Sequence, residues 1–214
     1  IKGISFLGLK SRDHDRLVDG LCRKAHEQSS LFTPESFVDL TQILGRMFVV
    51  HAPIFNTTCS KITSGEWSVG VQSLGLLVSS LSESNFLPKD LSCHAAAVLE
   101  RGLSETRDTA FSPASLLGLC RILKGLEVSG VDSPVEAVRK VSELVESWLP
   151  TLGPEQGPRV LRQLVPVLVN RDLPIPEVFN RCIEATDWSV VSDVPAHVSK
   201  TELRVATILD GMGI

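Results

Sequence analysis

The sequence predicts an all-α fold, an α-solenoid of about five antiparallel helix-turn-helix repeats. Three observations carry this. Residues 32–47 and 111–126 repeat one another at an offset of 79, sharing an aromatic, a hydroxyl, a proline, a serine and five apolar positions. Apolar residues recur at helical spacing throughout. Capping and breaking residues fall where such helices would start and stop. Internal repetition at this scale marks a stacked array in place of a closed globule.

The first copy places Phe37, Leu40, Ile43, Leu44 and Met47 at i, i+3, i+6, i+7 and i+10. The second places Leu116, Leu119, Ile122, Leu123 and Leu126 alike. Such a stripe is one face of an amphipathic helix. The spacing recurs at Val71, Leu74, Leu77, Val78 and Leu81, then at Leu161, Leu164, Val167 and Leu168, where Arg171 breaks the last position. Ala206, Leu209 and Met212 form a weaker fifth match. First anchors at 37, 71, 116, 161 and 206 give gaps of 34, 45, 45 and 45.

Each of the four strong first helices is followed by a second apolar-periodic segment, over Pro53–Ile62, Pro88–Leu103, Pro134–Leu149 and Pro176–Ala185. Thr33-Pro34, Ser112-Pro113 and Ser133-Pro134 predict a capping hydroxyl before a proline at the first helical position, where its missing N–H costs nothing. Ser129-Gly130 and Leu152-Gly153-Pro154 predict helix ends. At the N-terminus, Ile4 to Leu9 is short and apolar, and His14 to Gln28 carries Leu17, Val18, Leu21, Cys22 and Ala25, so this stretch reads as a broken unit. The units run over 1–30, 31–65, 66–109, 110–153 and 154–196, with another starting at 197–214. First and second helices would line opposite faces of a right-handed stack. Lacking an initial Met and stopping inside a new first helix, the sequence reads as a segment of a longer protein.

Composition narrows the function classes. A net charge of −4 argues against a dominant nucleic-acid footprint, which is normally basic. No apolar run reaches the roughly 18 residues of a membrane span. Cysteines 22, 59, 93, 120 and 182 show no Cys-x-x-Cys and read as reduced thiols, mostly packed in helical stripes. Cys93-His94 lies mid-helix without further ligands at zinc spacing. His14 and His51 stand at helix starts as caps or solvated groups. Gly118 and Gly125 form no phosphate loop and instead suit close packing against the next unit. The serine-rich 79–84 stretch lacks a nucleophile elbow. Glu143 and Glu146 read as a solvated face beside Arg139 and Lys140. Trp148 continues a core stripe, and Trp188 opens a longer loop. No catalytic residue, cofactor, metal ligand or small-molecule substrate emerges.

The unit, Phe-[Thr/Ser]-Pro-x-Ser before a Leu-x-x-Leu-x-x-Ile-Leu stripe and a second helix, resembles the degenerate helical-hairpin repeats of organellar RNA-metabolism proteins. These are the heptatricopeptide type found before the C-terminal RAP domain in mitochondrial proteins, and the octotricopeptide repeats of algal organelles. The resemblance covers about residues 30–186. It implies mitochondrial location and association with RNA or the ribosome; with no catalytic motif in the sequence, the chain reads as a non-enzymatic subunit of an organellar ribonucleoprotein, such as the mitochondrial ribosome or an RNA-processing complex, among other protein subunits. Units of up to 45 residues are nearer HEAT or armadillo lengths, which imply a protein–protein adaptor. Either way, Arg46, Arg121, Lys124, Arg139, Lys140 and Arg162 are the surface candidates for a partner or for RNA phosphates, with Gln42 beside them on the outside.

Overall fold

A computed structural model describes residues 12–105 and 112–186 of the chain. Among the described residues the protein is all-α, without strands. The helices are α1 (Arg12–Glu27), α2 (Pro34–Arg46), α3 (Ala52–Thr63), α4 (Val71–Glu83), α5 (Lys89–Glu105), α6 (Pro113–Val128), α7 (Val135–Trp148), α8 (Gln156–Asn170) and α9 (Glu177–Glu184).

Their packing alternates. The first helices α2, α4, α6 and α8 lie side by side in that order, and α1, α3, α5 and α7 form a second row. Each first helix also packs on the second helix that follows it. Contacts between elements two apart in the chain are what a helical repeat produces, because each unit buries its apolar stripe on its neighbours. The core runs between the rows: Phe37, Leu44, Leu74, Leu81, Leu119, Leu126, Leu164 and Leu168 from the first row meet Ile54, Phe55, Leu91, Leu99, Val138 and Val145 from the second. Ala206, Leu209, Met212 and Trp188 lie outside the described residues.

Two of the three capping expectations hold. Ser36 N donates to Thr33 Oγ1 at 3.2 Å, and Ser115 N to Ser112 Oγ at 3.1 Å, each followed by proline in the first turn. The third fails. Pro134 is itself the N-cap of α7, with ψ at 131°, and Ser133 Oγ is buried without a partner. Pro176 does the same before α9. These prolines stay extended, so their carbonyls accept the first helical bonds.

All four described first helices end in one way. Val49 N bonds to Leu44 O, Phe86 N to Leu81 O, Val131 N to Leu126 O and Leu173 N to Leu168 O, each at 2.8–2.9 Å. The residue just before each donor has positive φ: Phe48 at 55°, Asn85 at 55°, Gly130 at 68° and Asp172 at 51°. This is the Schellman ending, an α-left residue followed by an apolar one. It corrects the register. Leu126 corresponds to Leu44 and not to Met47, because α6 has 16 residues and α2 has 13. The caps of these helices are 79 apart, but their ends are 82 apart. Measured at the ends, successive units are 37, 45 and 42 residues long.

Phe48 is the odd member of that set. Asn, Gly and Asp tolerate the left-handed region; a phenylalanine there is strained and is 69% exposed. Phe48→Asn is therefore expected to raise stability by about 1 kcal/mol, while Gly130→Val lowers it by at least as much. Urea denaturation midpoints of the two variants check this.

Candidate interaction surface

The first row carries the close packing that positions the surface. A Cβ built on Gly75 would sit 2.4 Å from Gly118 O, and one on Gly118 would sit 2.6 Å from Val71 O. Gly125 closes on Val78 in the same manner. The glycines thus serve close helix approach, as expected, but against the preceding unit's α4 and not the following one.

Gln42 is also placed differently from expectation. It is buried, and its Nε2 donates to Ser73 O on α4 at 3.1 Å. A first helix flanked by another first helix needs a wider buried face than one stripe, so a polar side chain there bridges to the neighbour's backbone. Thr41 and Thr58, both fully buried, share a hydroxyl bond of 2.7 Å that ties α2 to α3.

The six surface candidates divide between the rows. Arg46 on α2, Arg121 and Lys124 on α6, and Arg162 on α8 belong to the first row. Arg139 and Lys140 belong to α7 in the second row. Arg46 and Arg162 are exposed; Arg121 and Lys124 are half-buried. Lys124 approaches Glu83 of α4 at 3.9 Å, and Lys140 approaches Glu136 one turn back at 3.8 Å. Exposed pairs of this kind contribute little to stability, about 0–1 kcal/mol. Glu143 and Glu146 are both exposed, as expected.

Around the first-row cations lies open apolar surface. Leu76 of α4 and Leu117 of α6 are half-buried, Val128 is 53% exposed at the end of α6, and Val169 is 56% exposed on α8. On α6, Leu117, Arg121, Lys124 and Val128 follow at i, i+4, i+7 and i+11, one stripe of the helix, which Lys124 joins to Glu83 of α4; Leu76 with Glu83 on α4, and Arg162 with Val169 on α8, are likewise two turns apart on one stripe.

Sequence reasoning missed the strongest charged cluster. Arg171, which interrupts the apolar spacing, is the C-cap of α8. Its Nε donates to Glu127 Oε2 at 2.8 Å, and its guanidinium also binds Asp132. The hydrogen bonds it donates to the Asp132 and Glu127 carboxylates push its pKa further up, so it remains charged. This clamp joins the ends of α6 and α8. The break in periodicity at 171 was its one sequence signal.

The remaining chemistry is quiet. Burial raises the Cys22 thiol to about 11, with the Asp19 carboxylate adding to it, and raises Cys59 and Cys120 to about 12. These thiols stay protonated at neutral pH and are poor nucleophiles. Cys93 is exposed and Cys182 half-buried. Among the described residues no three His, Cys, Asp or Glu side chains gather as a metal site. No helix there is long and apolar enough to cross a membrane. Trp148 is half-buried against the core.

His51 caps α3: Ile54 N donates to its Nδ1 at 3.4 Å. Burial lowers its pKa, with Asp19 opposing and His26 and Arg23 reinforcing. A protonated Nδ1 cannot accept this bond. The unfolded chain takes up the proton near pH 6.5 while the folded cap resists it. The cap's contribution is therefore full above about pH 6.5 and is lost as pH falls through the lowered folded value. Melting at pH 7.5 and pH 5 should show a loss of stability from this cap, absent in His51→Asn, which keeps an acceptor without titrating.

No protein-family profile matches the chain, and neither a curated protein nor a solved structure matches it.

Proposed function

We propose that the protein is a non-catalytic helical-repeat scaffold that holds protein neighbours in a larger assembly, in the manner of HEAT- or armadillo-type adaptors. The observation that carries this reading is the open face of the first row. There Leu76, Leu117, Val128 and Val169 stand among Arg121, Lys124, Arg162 and Glu83. Aliphatic patches interleaved with arginine and mixed charge suit a protein partner. A continuous basic stripe, which a phosphate backbone needs, is not supported, because Arg139 and Lys140 sit in the other row and Lys124 faces a carboxylate.

The test is purification of the intact protein with its partners, with and without ribonuclease. Partners retained after ribonuclease, and released by Val128→Asp with Val169→Asp, support the scaffold. Partners lost on ribonuclease treatment contradict it.

A second reading is a subunit of a mitochondrial ribonucleoprotein, such as the mitochondrial ribosome or an RNA-processing complex, touching RNA directly. Arg121 and Lys124 on α6 next to Arg162 on α8 favour it. Three phosphate contacts to single-stranded RNA would give a slope near −2 for log affinity against log salt. A flat response between 50 and 200 mM salt, as the scaffold reading expects, removes this alternative.

A further inference from the structure

The seams between first helices are built in two ways. From α2 to α4 to α6, glycines bring backbones together. A Cβ on Gly45 would lie 2.9 Å from Ser80 O, one on Gly118 2.6 Å from Val71 O, and one on Gly125 3.1 Å from Val78 O. Among the described residues no glycine does this between α6 and α8. Gly118 and Gly125 face α4, and Gly157 at the start of α8 faces Leu149 Cδ1 and Cys182 Sγ. Side chains alone hold the α6–α8 seam, and the Arg171 clamp closes its end.

The clamp is particular to this seam. The C-cap residues of the other three first helices are Met47, Ser84 and Ser129, none of them charged; Arg171 is the fourth. Its Nη2 lies 2.7 Å from Glu127 Oε2, in addition to the Nε bond, and its Nη1 reaches Asp132 in the turn before α7. Arg171 and Glu127 are half-buried and Asp132 is exposed. Salt screens such a cluster, whereas it leaves a packed backbone contact intact.

Five residues before Arg171, α8 carries an interior proline, Pro166. Pro166 has no N–H to give to Arg162 O, so the helical ladder lacks a bond where the last turn begins. The segment 167–170 is therefore bounded by a missing bond on one side and by the clamp on the other. Val167 and Leu168 dock it inward, and Val169 is exposed on the open face. Val128, on the α6 side of that face, directly follows Glu127 of the clamp.

We infer that the last turn of α8 is a hinged flap, with Pro166 as the hinge and the Arg171 clamp as an ionic latch, and that the closed latch fixes Val169 relative to Val128 and so completes the partner face. The second part rests on the scaffold reading; the flap itself does not.

The experiment is amide hydrogen exchange on the intact chain. Arg171→Met keeps an unbranched stem and removes the charge. It should speed exchange at 167–171 and 173 about tenfold and leave 113–126 and 156–165 unchanged. Raising salt from about 50 to about 500 mM should act likewise on the unsubstituted chain and have no effect on Arg171→Met. Pro166→Ala, which restores the missing bond, should bring Arg171→Met back to within about twofold of the unsubstituted chain. Unchanged exchange in Arg171→Met, equal acceleration along the whole of α8, or a salt response that survives in Arg171→Met overturns the latch. No rescue by Pro166→Ala overturns the hinge. For the second part, proteins that stay bound after ribonuclease should be retained severalfold less by Arg171→Met, and equal retention overturns control of the face. Partners lost on ribonuclease treatment alone defeat the scaffold reading, and with it that control, while the exchange result still decides the flap.

Discussion

Gly118→Ala is expected to destabilise the protein by about 1–3 kcal/mol, although alanine is the better helix former by about 1 kcal/mol. The sign follows from what the new methyl meets. It would lie 2.6 Å from Val71 O and 2.9 Å from Gln72 Cα, backbone atoms that cannot rotate away. Gly75→Ala should behave alike, facing Gly118 O at 2.4 Å. The two positions share one contact, so their effects should not add. Gly20 and Gly102 supply the opposite case on other helices. A methyl on Gly20 meets nothing within 4 Å, and one on Gly102 meets Leu119 Cδ2 at 3.5 Å. Alanine at either should stabilise by about 0.5–1 kcal/mol. Urea denaturation of the four variants checks the pattern; four stabilising substitutions would mean that α4 and α6 are not in backbone contact.

Phe37→Ala is expected to cost about 3–5 kcal/mol, the largest single effect in the first complete unit. Phe37 is fully buried on α2. Its ring meets Phe32 edge-on at 5.8 Å and Trp67 at 5.7 Å. Trp67 in turn stacks under Lys61 Nζ, 5.1 Å from the ring centre, and Lys61 binds Glu66 at 2.6 Å. Removing the phenyl ring takes the central member out of this aromatic row, which fixes the connection between α3 and α4. The loss should appear both in the denaturation midpoint and as a red shift of tryptophan emission at low denaturant. Phe37→Leu, which refills most of the volume, should cost under half as much. Equal costs would place the importance of residue 37 in the aromatic row and not in burial.

The fold class was legible because amphipathic spacing and caps act locally. Thr33 and Ser112 bond the N–H groups three residues on, an interaction that needs nothing beyond the helix. Other features depend on neighbours in space. The repeat register slipped by a turn because α6 is one turn longer than α2, which leaves the apolar spacing intact while moving the helix end. Only the left-handed residues Phe48, Asn85, Gly130 and Asp172 mark that end, and their differing identities hid it. Gln42 read as surface because its partner, Ser73 O, belongs to another unit. Arg171 read as a flaw for the same reason, its carboxylates lying 44 and 39 residues away in sequence. The candidate surface cations could be named one by one from the sequence, but not how the fold distributes them. Arg139 and Lys140 parted from Arg121, Lys124 and Arg162 once α7 and α6 took their places in opposite rows.

The fold depends on units stacked so that first helix touches first helix. The most direct measurement is the nuclear Overhauser effect between the Hα protons of Gly75 and Gly118 in the folded chain. A Cβ on Gly75 would lie 2.8 Å from Gly118 Cα, so a strong cross-peak is expected across 43 residues of sequence, with a companion between Gly45 and Ser80. A folded protein showing neither cross-peak would contradict the stacked array.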